Sequence, residues 1–173
     1  MRLRQVIGLA AAALAVLATT ATAQRREPPK ALTVSAQNLM ASDAQHQALA
    51  KQGGDPHTVL RGDVVRYRLV FTNVTDVPVR NVEFKDPLPG GLRYVAASAS
   101  ADREDVAIEY SIDGGATYSA RPMVEEVVDG KPVRKPAPVE LYTHIRWRVE
   151  GWVAPGAQVT AEFRTTLPEP QSR

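Results

Sequence analysis

Residues 111–118 read SIDGGATY, with the carboxylate of Asp113 between the hydroxyls of Ser111 and Thr117, Gly114 and Gly115 inside, and Tyr118 closing the run. Two chemistries suit that set. A glycosidic bond is hydrolysed by two carboxyls across a cleft, one with its pKa raised by burial. Alternatively, Asp113-Gly114-Gly115 is turn chemistry between two extended runs. The other acids, Asp102, Glu104, Asp105 and Glu125-Glu126, fall in predicted loops or on a predicted edge arm, where they read as solvated charge. The run is therefore expected to be a structural turn, made by Ser111, Asp113, Gly114, Gly115, Thr117 and Tyr118.

The remaining reactive side chains are sparse. His46, His57 and His144 show no i, i+4 pair and no acidic cluster at ligand spacing, so neither metal nor cofactor is expected. No serine lies in a nucleophile elbow, no glycine-rich loop cradles a phosphate, and cysteine is absent. Asn73-Val74-Thr75 matches a glycosylation sequon but falls among turn residues and reads as a turn. Arg66 and Arg68 share one outward strand face, as do Arg146 and Arg148, with Glu109, Glu162 and Arg164 as neighbours. A ladder of cross-strand ion pairs explains these arginines, and a face that binds an anionic glycan is the alternative.

The first 23 residues form a secretory signal: Arg2 and Arg4, an apolar core from Val6 to Ala18, and the small-x-small site Ala21-Thr22-Ala23. Cleavage is expected between Ala23 and Gln24 by the general secretory route, followed by a disordered lead over 24–30. The apolar core is too short to span a bilayer, and no membrane span is expected in the mature chain. The whole chain has 21 basic and 19 acidic residues, and the leader holds two of the basic ones, which leaves the mature part with no net charge. The apparent basicity belongs to the leader, so no nucleic-acid partner is expected. About 150 mature residues suffice to bury a core without disulfides.

The elements that must carry these residues are strands. Ala31 to Ala36 alternates, and 41–52 reads as a short helix, capped by Ser42 or Asp43 and ended by Gly53-Gly54, or as a polar loop. From residue 62 the period is two. Val65, Tyr67, Leu69 and Phe71 point in, as do Val82 and Phe84, then Ile108, Tyr110 and Ile112, then Ile145, Trp147 and Val149, then Val159, Ala161 and Phe163. One apolar and one charged face per run means antiparallel strands half-buried against a second sheet. Pro-rich and Gly-rich turns separate the runs, and the pattern predicts an all-β, immunoglobulin-like antiparallel sandwich of about seven strands.

Residues 121–138 stand out. Asp129-Gly130 between extended segments predicts a hairpin, and Pro122, Pro132, Pro136 and Pro138 restrict it to an edge. Met123, Val124, Val127, Val128 and Val133 would then be apolar residues on an exposed arm beside Arg134, a candidate surface for an envelope partner by edge-strand pairing.

Three segments in order carry a family resemblance. G-D-x-V-x-Y-x-[IVL]-x-x-x-N matches Gly62-Asp63, Val65, Tyr67, Leu69 and Asn73. D-x-L-P-x-G-L-x-[FY]-V matches Asp86, Leu88-Pro89, Gly91-Leu92 and Tyr94-Val95. A Trp-bearing strand and P-G-x-x-x-x-x-x-F match Trp147, Pro155-Gly156 and Phe163. Over residues 60–167 the chain thus resembles the conserved repeat domain, an Ig-like domain of unknown molecular function in bacterial exported and surface proteins. In this division 31–59 is an N-terminal strand plus loop or helix, and 168–173 a disordered tail. Most relatives carry the domain in tandem, whereas this chain is most similar to short exported forms with one copy. For those the resemblance implies a fold and an address but no reaction.

SIDGGATY itself resembles the Asp box of sialidase propellers, where it is a hairpin device remote from the catalytic groups. About 150 residues cannot make a propeller of several four-stranded blades. The expected product is a non-enzymatic structural or binding accessory of the periplasm or cell envelope, or secreted. A small envelope hydrolase acting on glycans and an anionic-glycan-binding module are the alternatives.

Overall fold

The computed structural model describes residues 31–40, 43–55 and 58–168. The leader with its Ala23–Gln24 junction, the lead over 24–30, His57 and residues 169–173 lie outside the described residues.

The strands are β1 (Leu32–Asn38), β2 (Val64–Thr72), β3 (Val82–Pro87), β4 (Arg93–Tyr94), β5 (Ser100–Ala101), β6 (Val106–Ser111), β7 (Met123–Val128), β8 (Lys131–Pro136), β9 (His144–Val149) and β10 (Gln158–Thr166). Helix α1 (Ala44–Lys51) follows β1, and one 3-10 turn (Val139–Leu141) precedes β9. The first sheet runs β1-β2-β10-β4, with β5 also on β10; the second runs β3-β9-β6; among the described residues β7 and β8 pair only with each other. Every pairing is antiparallel. This is an all-β sandwich, as the alternating runs predict. Among the described residues ten strands replace the expected seven or so, because β4 and β5 are two residues long, too short to show a period.

The core forms where the two inner faces meet. On β9 the alternation buries Ile145, Trp147 and Val149 completely, and on β10 it buries Val159, Ala161 and Phe163. The β2–β10 register sets Tyr67 opposite Phe163, and the rings stack at 4.8 Å. Trp147 joins the sheets, with Phe84 at 5.7 Å on its own sheet and Phe163 at 5.9 Å on the other. Its indole N–H donates to Ser100 O at 3.1 Å, so the polar end of the buried ring is satisfied. Ile112 lies past the end of β6, and Ser111, expected to face outward, is buried instead. The turn chemistry described below needs its hydroxyl inside.

Strand β1 pairs with β2 along its whole length, so the N-terminal segment shares a sheet with the strands of 60–167. Helix α1 forms within the expected 41–52, capped by Asp43, whose Oδ1 accepts from His46 N at 3.0 Å. Its one buried residue is His46. His46 Nε2 donates to Asp63 Oδ2 at 2.8 Å, and the same oxygen accepts from Asn38 Nδ2 at 2.6 Å and Leu60 N at 2.7 Å. Asp63 therefore pins the helix to the first sheet. Asn73, also buried, clamps the next turn: its Nδ2 donates to Val77 O at 2.8 Å and Val153 O at 2.9 Å, and its Oδ1 accepts from Thr75 Oγ1 at 2.6 Å. The sequon asparagine is a turn residue whose amide is used inside the protein.

Candidate functional site

The Ser111–Tyr118 run closes a loop between Tyr110 and Ser119, which exchange backbone hydrogen bonds at 2.8 and 3.0 Å. Asp113 turns inward on the loop, accepting from Thr117 N at 2.9 Å, Thr117 Oγ1 at 2.5 Å and Ser111 Oγ at 2.7 Å. The Thr117 hydroxyl and N–H, with the Ser111 hydroxyl, hold its carboxyl well below the usual carboxylate range. That is the opposite of what a general acid in glycoside hydrolysis needs. Gly115 sits at φ +87°, where any other side chain would be strained, and a Cβ there would stand 3.1 Å from the Tyr118 hydroxyl. Tyr118 lies on the outer face of the second sheet, its ring centre 4.4 Å from the Arg146 guanidinium and 5.3 Å from the Lys85 ammonium. All six turn residues are brought together, and what they build is a hairpin brace.

The four arginines are not brought together. Arg66 and Arg68 face outward from the first sheet, and Arg146 and Arg148 from the second, on opposite sides of the sandwich. Each face carries its own acids. Arg146 lies 2.7 Å from Glu109 and 3.7 Å from Glu83, Arg148 is 3.8 Å from Glu150, and Arg68 is 3.7 Å from Glu162. Arg66 donates to Gln37 Oε1 at 2.5 Å. Arg164 stands opposite Arg66.

Among the described residues, one surface cleft adjoins the first of these faces and another lies away from both. One, of about 260 Å³, lies over the first sheet between Arg68, Asp102, Thr160 and Glu162. The other, of about 230 Å³, is floored by Tyr94 and Tyr142 and bordered by Arg93 and Glu140, which form an ion pair at 3.8 Å. Tyr94 also lies against Tyr110, hydroxyl to hydroxyl at 3.1 Å, and burial followed by that hydrogen bond pushes the Tyr110 phenol up. Asp105 is taken up by Arg103 through two hydrogen bonds of 2.8 and 2.6 Å. Among the described residues no group of three His, Cys, Asp or Glu side chains is arranged to hold a metal. A spacing search passes over the His46–Asp63 pair because its partners are 17 residues apart. The motif pair Gly62-Asp63 was its only signal.

The arm departs from expectation. It does not lie on an edge of the sandwich; β7 and β8 form a separate two-stranded sheet. Its base is pinned where Ala137 N donates to Pro122 O at 2.8 Å, and both of those residues are buried. Beyond the base, Met123, Val127, Val128 and Val133 are exposed, Val127 to 71%, and Val124 is half-buried. The reason is the register. Val124, Glu126 and Val128 share one face with Lys135, Val133 and Lys131, while Met123, Glu125 and Val127 share the other with Pro136, Arg134 and Pro132. Apolar residues are thus divided between two faces, and neither face is apolar enough to fold down onto a sheet. Lys135 and Glu126 form an ion pair across the strands.

No helix among the described residues is long and apolar enough to cross a membrane. No known family model matches the chain, and no curated protein is similar enough to stand as a relative.

Proposed function

We propose that this chain is a non-enzymatic, exported binding module of the bacterial periplasm or cell envelope that docks a protein partner through its β7–β8 arm. The observation that carries this is the arm itself. An isolated two-stranded hairpin is marginal in water and gains stability from further strands or packing. Here one stands clear of both sheets with apolar side chains on both faces. The docking residues are Met123, Val127 and Arg134 on one face of the arm and Val124, Val128 and Val133 on the other. The leader-like first 23 residues and the resemblance to the conserved repeat domain supply the address.

The geometry gives less support to the alternatives. A glycan hydrolase working through Asp113 would need a raised carboxyl where this one is held low. An anionic glycan would need its arginines on one face, and they lie on two, where Arg68 is matched by Glu162 and Arg146 by Glu109. The experiment replaces residues 123–136 with a short Asn-Gly turn, keeping the Pro122–Ala137 base, and compares envelope pull-downs at matched thermal stability. Loss of the captured protein is expected. An unchanged set of captured proteins would overturn the proposal.

A further inference from the structure

The two edges of the arm differ. In an antiparallel ladder, residues that exchange hydrogen bonds with the neighbouring strand alternate with residues whose N–H and C=O point away from it. The bond from Ala137 N to Pro122 O fixes which are which. Counting in twos from that pair along the register, Val124 with Lys135, Glu126 with Val133 and Val128 with Lys131 are the bonded pairs. The turn agrees with this phase, since Asp129 and Gly130 have φ of 51° and 75°, as a two-residue loop closing on a bonded pair requires.

The outward positions are therefore Met123, Glu125 and Val127 on β7, and Pro132, Arg134 and Pro136 on β8. Both prolines of β8 occupy outward positions, where a missing N–H costs the hairpin nothing and removes two of the three edge donors. The β8 edge is blocked. The β7 edge keeps all three donors, and among the described residues β7 pairs only with β8. Its outward residues are all exposed. A chain that only avoided edge pairing would have closed both sides.

Resting on the arm-docking proposal, we infer that the β7 edge accepts an extended segment of a separate protein, with Lys or Arg opposite Glu125 and apolar residues opposite Met123 and Val127. Residues directly opposite share a face, so the incoming segment reads apolar-x-cation-x-apolar. Glu125 then lies between Arg134 of β8 and the new cation, and Met123 and Val127 gain apolar neighbours. A second copy fits worse. Two β7 edges in the fully overlapped antiparallel register must match outward residue to outward residue. That sets Glu125 against Glu125 of the other copy, and like charges directly opposite are destabilising. A second copy offering β8 brings its two outward prolines to the joint.

The test uses the full mature chain and a fluorescent probe, the acetylated and amidated peptide Thr-Val-Thr-Lys-Thr-Val-Thr, beside the same peptide with Glu in place of Lys. The Lys peptide is expected to bind about tenfold or more tightly than the Glu peptide. Glu125→Lys should reverse that order, and Val127→Pro should weaken both without disturbing the amide signals of Lys131, Val133 and Lys135. On binding, the amides of Met123, Glu125 and Val127 should gain protection from exchange. Equal affinity for the two peptides, binding of neither, an order unchanged by Glu125→Lys, protection at Arg134 instead, or a β7-linked dimer in sedimentation would each overturn the inference. The two proposals separate in the pull-down. Partners lost when the arm is replaced but kept by Val127→Pro would overturn the edge and leave arm docking standing. Partners kept in both would overturn arm docking.

Discussion

His46 Nε2 donates to Asp63 Oδ2 at 2.8 Å between two residues that are each only 2% exposed. The carboxylate accepts two further hydrogen bonds, from Leu60 N and Asn38, and so ties α1, β1 and the start of β2 to one oxygen. Asp63→Ala strands three donors and should cost roughly 3 kcal/mol or more. Chemical denaturation measures it, and early exchange of the α1 amides would show where the loss falls.

The same carboxyl carries a pH dependence. Burial pushes its pKa up, but the Leu60 N–H, the Asn38 amide and His46 outweigh burial and hold it below the ordinary value. A group lowered in the folded state adds stability above its unfolded pKa, about 3.9, and loses it as pH falls through the folded value. Asp63→Asn should therefore be less stable at neutral pH and show a shallower loss below about pH 4. An acid limb as steep as that of the unaltered chain would place the titration elsewhere.

Asp113 is predicted to matter to the hairpin alone. Asp113→Ala removes the acceptor for Thr117 N, Thr117 Oγ1 and Ser111 Oγ, and Tm should fall. Protein captured through the arm should still be captured at a temperature where the variant is folded. A glycosidase activity lost at unchanged Tm would mean that the box does chemistry.

Much of the sandwich was legible because burial follows a period of two. Trp147, Phe163 and Leu69 could be placed inside from their alternation with Arg146, Arg148, Glu162 and Arg68. The Ser111–Tyr118 brace was legible too, since the bonds that Asp113 accepts come from residues at most four positions away, whereas its ties to Thr143 were not. What alternation could not reach was contact set by tertiary geometry. His46 looked isolated because its partner is 17 residues away, and two-residue strands have no period. The arm was visible as a hairpin, but its detachment was not. Local residue types announce a turn and forbid a sheet interior, yet say nothing of which way a hairpin leaves the body.

Trp147 should be the most costly core position. Trp147→Ala removes the ring that bridges Phe84 and Phe163 and the indole donor to Ser100 O. A loss of about 3–5 kcal/mol is expected in urea denaturation. A loss under about 1 kcal/mol would show that the two sheets are not joined through this ring.

Intact mass of the exported product should begin at Gln24, since charge and prolines follow Ala21-Thr22-Ala23 at once. A product retaining Met1 would make the first segment an anchor and move the module to a membrane surface.

The most direct test of arm docking is photo-crosslinking in living cells. A photoreactive residue is placed at Val127 on the arm, at Arg68 on the first sheet, or at Arg148 on the second. The arm position is expected to yield a discrete higher-mass adduct and the two sheet positions none. Adducts at Arg68 or Arg148 with none at Val127 would contradict the account and move the docking surface to a sheet face.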